Sequence, residues 1–320
     1  MSMMMKKYSG FFFLLSLIFL PLLLPKPVEA KVYLNKAYGP HKRQIFDLWV
    51  PEKIKKAPLV IYIHPGGWSK GSKEEIKKHS GIIKDFNNAG IALASINYRF
   101  LNKAPLQTIM REDIAGFVQF MRHHARKYNI DKRRVLSFGE SAGGSASLWL
   151  ATHDDLGDPN SEDPIKREST RILAAGHINA QFSYDFLDWY QFFEHEKIDQ
   201  FVGSQLWTRY HFRSVEDLHT ANGKKIREGL DMYENLTPDD APTFFYNSYP
   251  NLSSQTRDHL FHSPIHAKIL YEKAKKMGVR SILKLDGDNP VNKNPYEEIK
   301  KFFIKEISKS KNNILWSIFQ

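Results

Sequence analysis

The 320-residue chain has no cysteine. That absence excludes disulfides, cysteine nucleophiles, thiolate metal sites and a lipidated N-terminal cysteine. Acidic residues run short: 35 Asp and Glu face 46 Lys and Arg, a net charge of +11. Such a surface favours anionic surfaces or polymers. Its lysines, however, are scattered through helix-like segments such as Lys273-Ala274-Lys275-Lys276. No cluster interleaves basic residues with stacking aromatics, so nucleic acid is not an expected partner. Internal repeats and low-complexity linkers are also lacking. The most apolar stretch, Phe11 to Leu24, falls short of the roughly 20 residues a spanning helix needs.

That stretch has another reading. Lys6 and Lys7 precede it, and Val28-Glu29-Ala30 follows with small residues at the −3 and −1 positions of a cleavage site. Residues 1–30 are expected to be a signal peptide, and the protein to be exported, periplasmic or secreted. The alternative is an uncleaved membrane anchor. Residues 31–320 suit one large domain of net charge about +9.

Apolar patterning in that domain alternates strands with helices. Gln44–Val50 alternates like a half-buried strand. Pro58–His64 and Ile91–Tyr98 are continuous apolar runs, as in strands buried on both faces. Val135–Phe138, Ile172–Ile178, Thr243–Tyr246 and Ser281–Leu285 add further strands. Helices are expected at Glu74–Asn88, Thr108–Tyr128, after Ser141 to about Thr152, at Ser263–Met277 and at Pro295–Ile307. The order predicts an α/β fold with a mostly parallel sheet covered on both faces. Residues 181–237 break the rhythm with a dense aromatic set that includes Phe182, Tyr184, Phe186, Trp189, Tyr190 and Trp207. They read as a helical cap insertion whose aromatics line a substrate cleft or pack the insert onto the core.

Two motifs carry chemistry. Gly139-Glu140-Ser141-Ala142-Gly143-Gly144 follows the strand Val135–Phe138 and is a G-x-S-x-G nucleophile elbow. About 75 residues upstream, His64-Pro65-Gly66-Gly67-Trp68 ends another buried strand as a glycine loop. With Ile96-Asn97-Tyr98-Arg99, these motifs make the chain resemble the α/β-hydrolase superfamily. The likeness is to its esterase branch, related to hormone-sensitive lipase and to secreted polysaccharide-acyl (BD-FAE-like) esterases. It covers essentially the whole mature chain and is weakest over the cap. It implies a Ser141 nucleophile and an oxyanion hole built from the N–H groups of Gly66, Gly67 and Ala142. Pro65 stands where the family usually has its first glycine, and it has no N–H to donate. Asp113, in Arg111-Glu112-Asp113, reads as a structural ion-pair partner for a basic neighbour such as Arg99.

The base and acid depart from the family pattern, which places Asp or Glu after the penultimate strand and His after the last. Here Asn247-Ser248-Tyr249-Pro250 follows the penultimate strand, and Asp286-Gly287-Asp288-Asn289-Pro290 the last. No histidine follows His266. His259, His262 and His266 crowd the loop that should open beside the elbow. His262 is the candidate base, with Asp258 or Asp288 as orienting acid. Against this stands a reading in which His262 only caps or packs its helix. His195, His211 and His219 in the cap are second-line candidates, and a metal site at the three late histidines is disfavoured. No cofactor is implied.

The expected function is a secreted serine carboxylesterase acting on an acylated carbohydrate or other small-molecule ester. The alternative is a catalytically impaired binding protein for glycans or esters on the same scaffold. A peptidase of the same fold is a weaker option. So is a membrane-surface lipase, suggested by the apolar stretch Ile314–Phe319.

Overall fold

A computed structural model describes residues 29–79, 81–251, 255–287 and 294–318, with the backbone alone beyond residue 310. Most of the expected signal peptide, Asp288, Asn289 and the side chains of Ile314–Phe319 lie outside the described residues.

Eight strands form one sheet in the order β1-β2-β4-β3-β5-β6-β7-β8. They are β1 Ala30–Ala37, β2 Ile45–Pro51, β3 Ala57–Ile63, β4 Ala92–Ile96, β5 Ile130–Glu140, β6 Ala175–Ile178, β7 Thr243–Asn247 and β8 Ser281–Leu285. The β1–β2 and β2–β4 pairs are antiparallel. From β4 across to β8 every pair is parallel. Strands β3 and β4 are buried along their whole length because helices cover both faces of the sheet. Two large buried clusters record this: one holds Phe46, Ile61, Phe117 and Trp149, the other Val60, Phe86, Phe138 and Phe303. This is the α/β-hydrolase fold.

Three local differences from the sequence reading have physical causes. Strand β1, with residues Ala-Lys-Val-Tyr-Leu-Asn-Lys-Ala, is an edge strand that buries none of them, so it offers no clear apolar pattern. It begins at the last residue of the expected signal peptide. The helix expected at Glu74–Asn88 divides into a 3₁₀ segment, Lys73–Lys78, and an α-helix, Ile82–Asn88. Gly81 separates them at φ 84°, a left-handed conformation that interrupts an α-helix. The buried Lys73 ammonium lies 2.9 Å from the buried Asp47 carboxylate of β2. The helix expected at Thr108–Tyr128 contains a π-helical stretch, Ile109–Ala115, and breaks again at His124. Within the π-helical stretch, Asp113 is fully buried. It accepts 2.6 and 2.9 Å bonds from the Arg99 guanidinium and one from Gln44.

Between β6 and β7 the chain forms short helical segments and, among the described residues, no strand. Half of its aromatics are buried in the core, where Phe182, Trp189 and Phe193 pack with Phe261 and the ring of His266; the rest pack against it partly buried. No helix among the described residues is long and apolar enough to cross a membrane.

Candidate active site

The elbow is built by steric exclusion. Ser141 sits at φ 51°, ψ −119°, which non-glycine residues rarely adopt. A Cβ on Gly143 would lie 2.0 Å from the Ile63 carbonyl oxygen, and one on Gly139 would meet the same atom at 2.5 Å. Both positions therefore require glycine, because β3 and the helix Ala142–Thr152 pass too closely for any side chain. The Ser141 N–H donates to the Ile178 carbonyl at 2.8 Å, tying the turn to β6. Ala142 opens the helix, where a backbone N–H has no carbonyl one turn back to pair with.

The glycine loop lies alongside. Gly66 (φ 128°) and Gly67 (φ 59°) hold a turn in which the Gly66 carbonyl accepts from the N–H groups of Ser69 and Lys70. His64 anchors that turn from beneath. Its ring stacks on Tyr98 at 4.2 Å, its Nδ1 meets the Pro65 carbonyl at 2.6 Å, and burial pushes its pKa down to about 4. Tyr98 in turn donates to the His64 carbonyl at 2.9 Å. Trp68 donates its indole N–H to the Tyr184 hydroxyl at 2.8 Å, and that hydroxyl donates to Gln181 Oε1 at 3.0 Å. Gln181 Nε2 then donates to the Phe261 carbonyl at 2.6 Å, so one chain of bonds joins the glycine loop to the segment carrying His262.

His262 Nε2 lies 2.8 Å from Ser141 Oγ. Its Nδ1 lies 2.9 Å from the Asp258 carbonyl and 3.1 Å from the Asp258 carboxylate. Both residues belong to the six-residue helix Arg257–His262, where an i,i+4 spacing puts them on one face. Thr256 caps the start of that helix through the His259 N–H. It ends where Ser263 takes up extended backbone before Pro264, so His262 projects from a corner between two helices. Burial lowers the imidazole pKa from its usual 6.5, opposed by the Asp258 charge. The ring is therefore neutral near pH 7 and can accept a proton.

The segment that reads as an empty acid loop holds this corner in place. Asn247 Nδ2 donates to the His262 carbonyl at 2.9 Å, and Ser248 N–H donates to Asn179 Oδ1 at 2.9 Å. Tyr249 stacks on the His262 ring at 5.0 Å and donates its hydroxyl to Asp258 Oδ2 at 2.7 Å. Behind it, Gly287 packs so closely on the Tyr249 carbonyl that a Cβ would lie 1.9 Å away. The loop after β8 thus supports the loop after β7. Sequence reasoning missed Tyr249, Asn247 and Gln181, because nothing in a single chain marks which aromatics or amides contact a histidine.

His219 is exposed at the end of the short helical segment Val215–His219, and the remaining candidate histidines bond to backbone carbonyls away from Ser141. His266 is fully buried, with Nε2 on the Leu260 carbonyl. His259 reaches the Pro250 carbonyl, and His195 and His211 reach the Tyr190 and Leu101 carbonyls. Among the described residues no cluster of histidines and acids has the arrangement of a metal site.

A cavity of about 500 Å³ collects Gly66, Gly67, Ser141, Gln181, Tyr184, Arg209, Tyr249, Asp258 and His262 around one mouth. The BD-FAE family model matches residues 46–216, more than half of the chain and inclusive of both the glycine loop and the elbow. The chain belongs to the BD-FAE family. Among curated proteins it is similar to tuliposide A-converting enzyme 2 of Tulipa gesneriana, 27% identical over 140 residues, 42% of this chain and 37% of that protein. It is also similar to esterase LipI of Mycobacterium tuberculosis, 28% identical over 106 residues, 32% of each chain. The chain thus spans about a third of the length of the curated relatives it matches. Among solved structures, a carbohydrate esterase from gut microbiota superposes with TM-score 0.62 at 14% identity, covering 88% of this chain and 98% of that one. Esterase B from Lactobacillus rhamnosis gives TM-score 0.64 at 15% identity, covering 89% and 90%. At such identities these likenesses speak for the fold.

Proposed function

We propose that this BD-FAE family member is an exported carboxylic ester hydrolase acting through a Ser141 acyl-enzyme, on an acylated carbohydrate or another small ester. The observation that carries the reading is the 2.8 Å contact between Ser141 Oγ and a neutral imidazole at the mouth of the cavity. In the reaction, His262 Nε2 takes the hydroxyl proton as Oγ attacks the ester carbonyl carbon. The N–H groups of Gly66, Gly67 and Ala142 receive the charge that develops on the carbonyl oxygen. Collapse breaks the bond to the alcohol oxygen, which leaves with the proton held by His262. A water then repeats the sequence, giving one proton to His262 as it attacks the acyl carbon; the acyl–Oγ bond breaks, Oγ takes that proton back from His262, and the acid is released. Asp258 orients the ring so that Nε2 faces the serine.

The name of the gut carbohydrate esterase and that of esterase LipI support the ester chemistry. The leader-like residues at the N-terminus support export. The alternative of an impaired binding protein rests on the missing C-terminal histidine, and the Ser141–His262 contact supports the catalytic reading over it. The test is a fluorophosphonate probe with p-nitrophenyl acetate turnover. Labelling should map to Ser141 and vanish in Ser141→Ala. A folded wild-type protein that neither labels nor turns over ester would refute the reading.

A further inference from the structure

The cavity above Ser141 contains an arginine in an unusual setting. Arg209, from the segment between β6 and β7, is only 4% exposed yet lines the cavity. Among the described residues no carboxylate pairs with it. Its Nη2 donates to the neutral amide oxygen of Gln205 at 2.8 Å, its Nε has no hydrogen-bond partner, and its guanidinium rests over the rings of Tyr184 and Phe186 at 5.2 and 5.1 Å. A second arginine, Arg257, donates to the same Gln205 oxygen at 3.0 Å and lines the same cavity. Two like charges therefore converge on one amide, and one of them is withdrawn from water. Burying an unpaired charge is costly, and ring faces and one amide repay part of that cost only. The cavity's own acids lie elsewhere: Asp258 is engaged by His262 and Tyr249, and Glu140 neighbours the nucleophile beside Asn179. Lys70 adds a further positive charge to the lining.

We infer that Arg209, with Arg257, forms a carboxylate-binding subsite, and that the substrate is an ester bearing a second, anionic carboxylate group. The guanidinium fork matches a planar carboxylate, and burial strengthens the resulting bonds. This inference rests on the esterase reading of the same cavity. The carboxylate can belong to either half of the ester, the sugar (a uronic acid) or the acyl chain (a dicarboxylic half-ester).

Two matched pairs of esters test it. The first is methyl 3-O-acetyl-glucuronoside against methyl 3-O-acetyl-glucoside, and the second is 4-methylumbelliferyl adipate against the hexanoate. The wild-type enzyme should prefer the anionic member of one pair by at least tenfold in kcat/KM, chiefly through KM, and that pair identifies the half that carries the charge. Arg209→Gln should reduce this preference at least tenfold, Arg209→Lys should retain part of it, and the more exposed Arg257→Gln should reduce it without threatening the fold. An absent preference, or one unchanged in both glutamine variants, would overturn the inference. If no ester is turned over, the esterase reading fails by itself. Calorimetric titration with methyl glucuronoside and adipate then decides: binding weakened by Arg209→Gln supports the subsite, and no binding of either compound contradicts it.

Discussion

Ser141 and His262 meet at 2.8 Å across 121 residues of sequence, with the imidazole supplied by the loop after β7 rather than the loop after β8. Both loops leave the same edge of the parallel sheet, so either can reach the elbow. What differs is the support each site requires. Here Asn247, Tyr249 and the Asp286-Gly287 turn supply it from behind.

The pH profile follows from the environment of His262. Burial lowers its pKa below the usual 6.5, and only the unprotonated ring can accept the serine proton. Ester kcat/KM should therefore rise with pH through a single acid limb whose midpoint lies below 6.5. A stopped-assay profile between pH 4 and 8 checks this. A midpoint well above 6.5 would contradict the assignment.

Asp258 should matter less than the buried acid of a serine protease. Its side chain is 67% exposed, and its own backbone carbonyl also holds His262 Nδ1. Replacing the protease acid by its amide costs about 10⁴ in kcat. Asp258→Asn should cost only about 10–10² here, and Tyr249→Phe less again, since the ring stack survives. Steady-state kinetics of both variants test the ranking. A loss near 10⁴ in Asp258→Asn would show that the carboxylate alone orients the ring.

Gly143→Ala probes the elbow itself. The added methyl group would lie 2.0 Å from the Ile63 carbonyl oxygen, and both atoms are fixed by the sheet and the helix. The variant should lose several kcal/mol of stability, on the order of an overpacked core site or more, or fail to accumulate as soluble protein. Wild-type stability and activity in this variant would contradict the described turn.

Acid should destabilise the fold well above the range where carboxylates titrate. His64, His177 and His266 are buried neutral, with pKa values pushed down to about 4, 3 and 3. Unfolded histidines titrate near 6.5, so below that pH the unfolded state binds protons the native state refuses. Stability is then lost as pH falls from about 6.5 towards 3–4, at about 1.4 kcal/mol per pH unit for each histidine. At pH 5.5 the three together cost about 4 kcal/mol, opposed by Asp188, whose carboxyl is pushed up to about 8 by burial and the nearby Asp231 and so takes up a native-state proton over the same interval. Urea unfolding at pH 7.5 and 5.5 measures the net change for the wild type and for Asp188→Asn, which removes the opposing group, and an Asp188→Asn variant equally stable at both pH values would contradict it.

The parallel strands and the elbow were legible because full burial writes continuous apolar runs, and because tight turns admit only glycine at positions such as Gly143. His262 stood out as the candidate base because three histidines crowd the segment after β7, which opens beside the elbow. Strand β1 was not legible, since an exposed edge carries no apolar stripe. Nor were the break at Gly81, where a left-handed residue interrupts an otherwise helical pattern, or the π-helical stretch that holds the buried Asp113, whose partners Arg99 and Gln44 meet it only in three dimensions. Tyr249 and Arg209 escaped for the same reason. Each owes its meaning to neighbours distant in sequence.

The most direct test of the account is the kcat/KM of His262→Ala for p-nitrophenyl acetate, with folding checked by circular dichroism. Loss of the general base should reduce turnover by several orders of magnitude, towards the 10⁶ seen when a serine protease loses its histidine. Fluorophosphonate labelling of Ser141 should slow in parallel. Activity within tenfold of wild type would show that Ser141 is activated by some other group, and the central claim would be wrong.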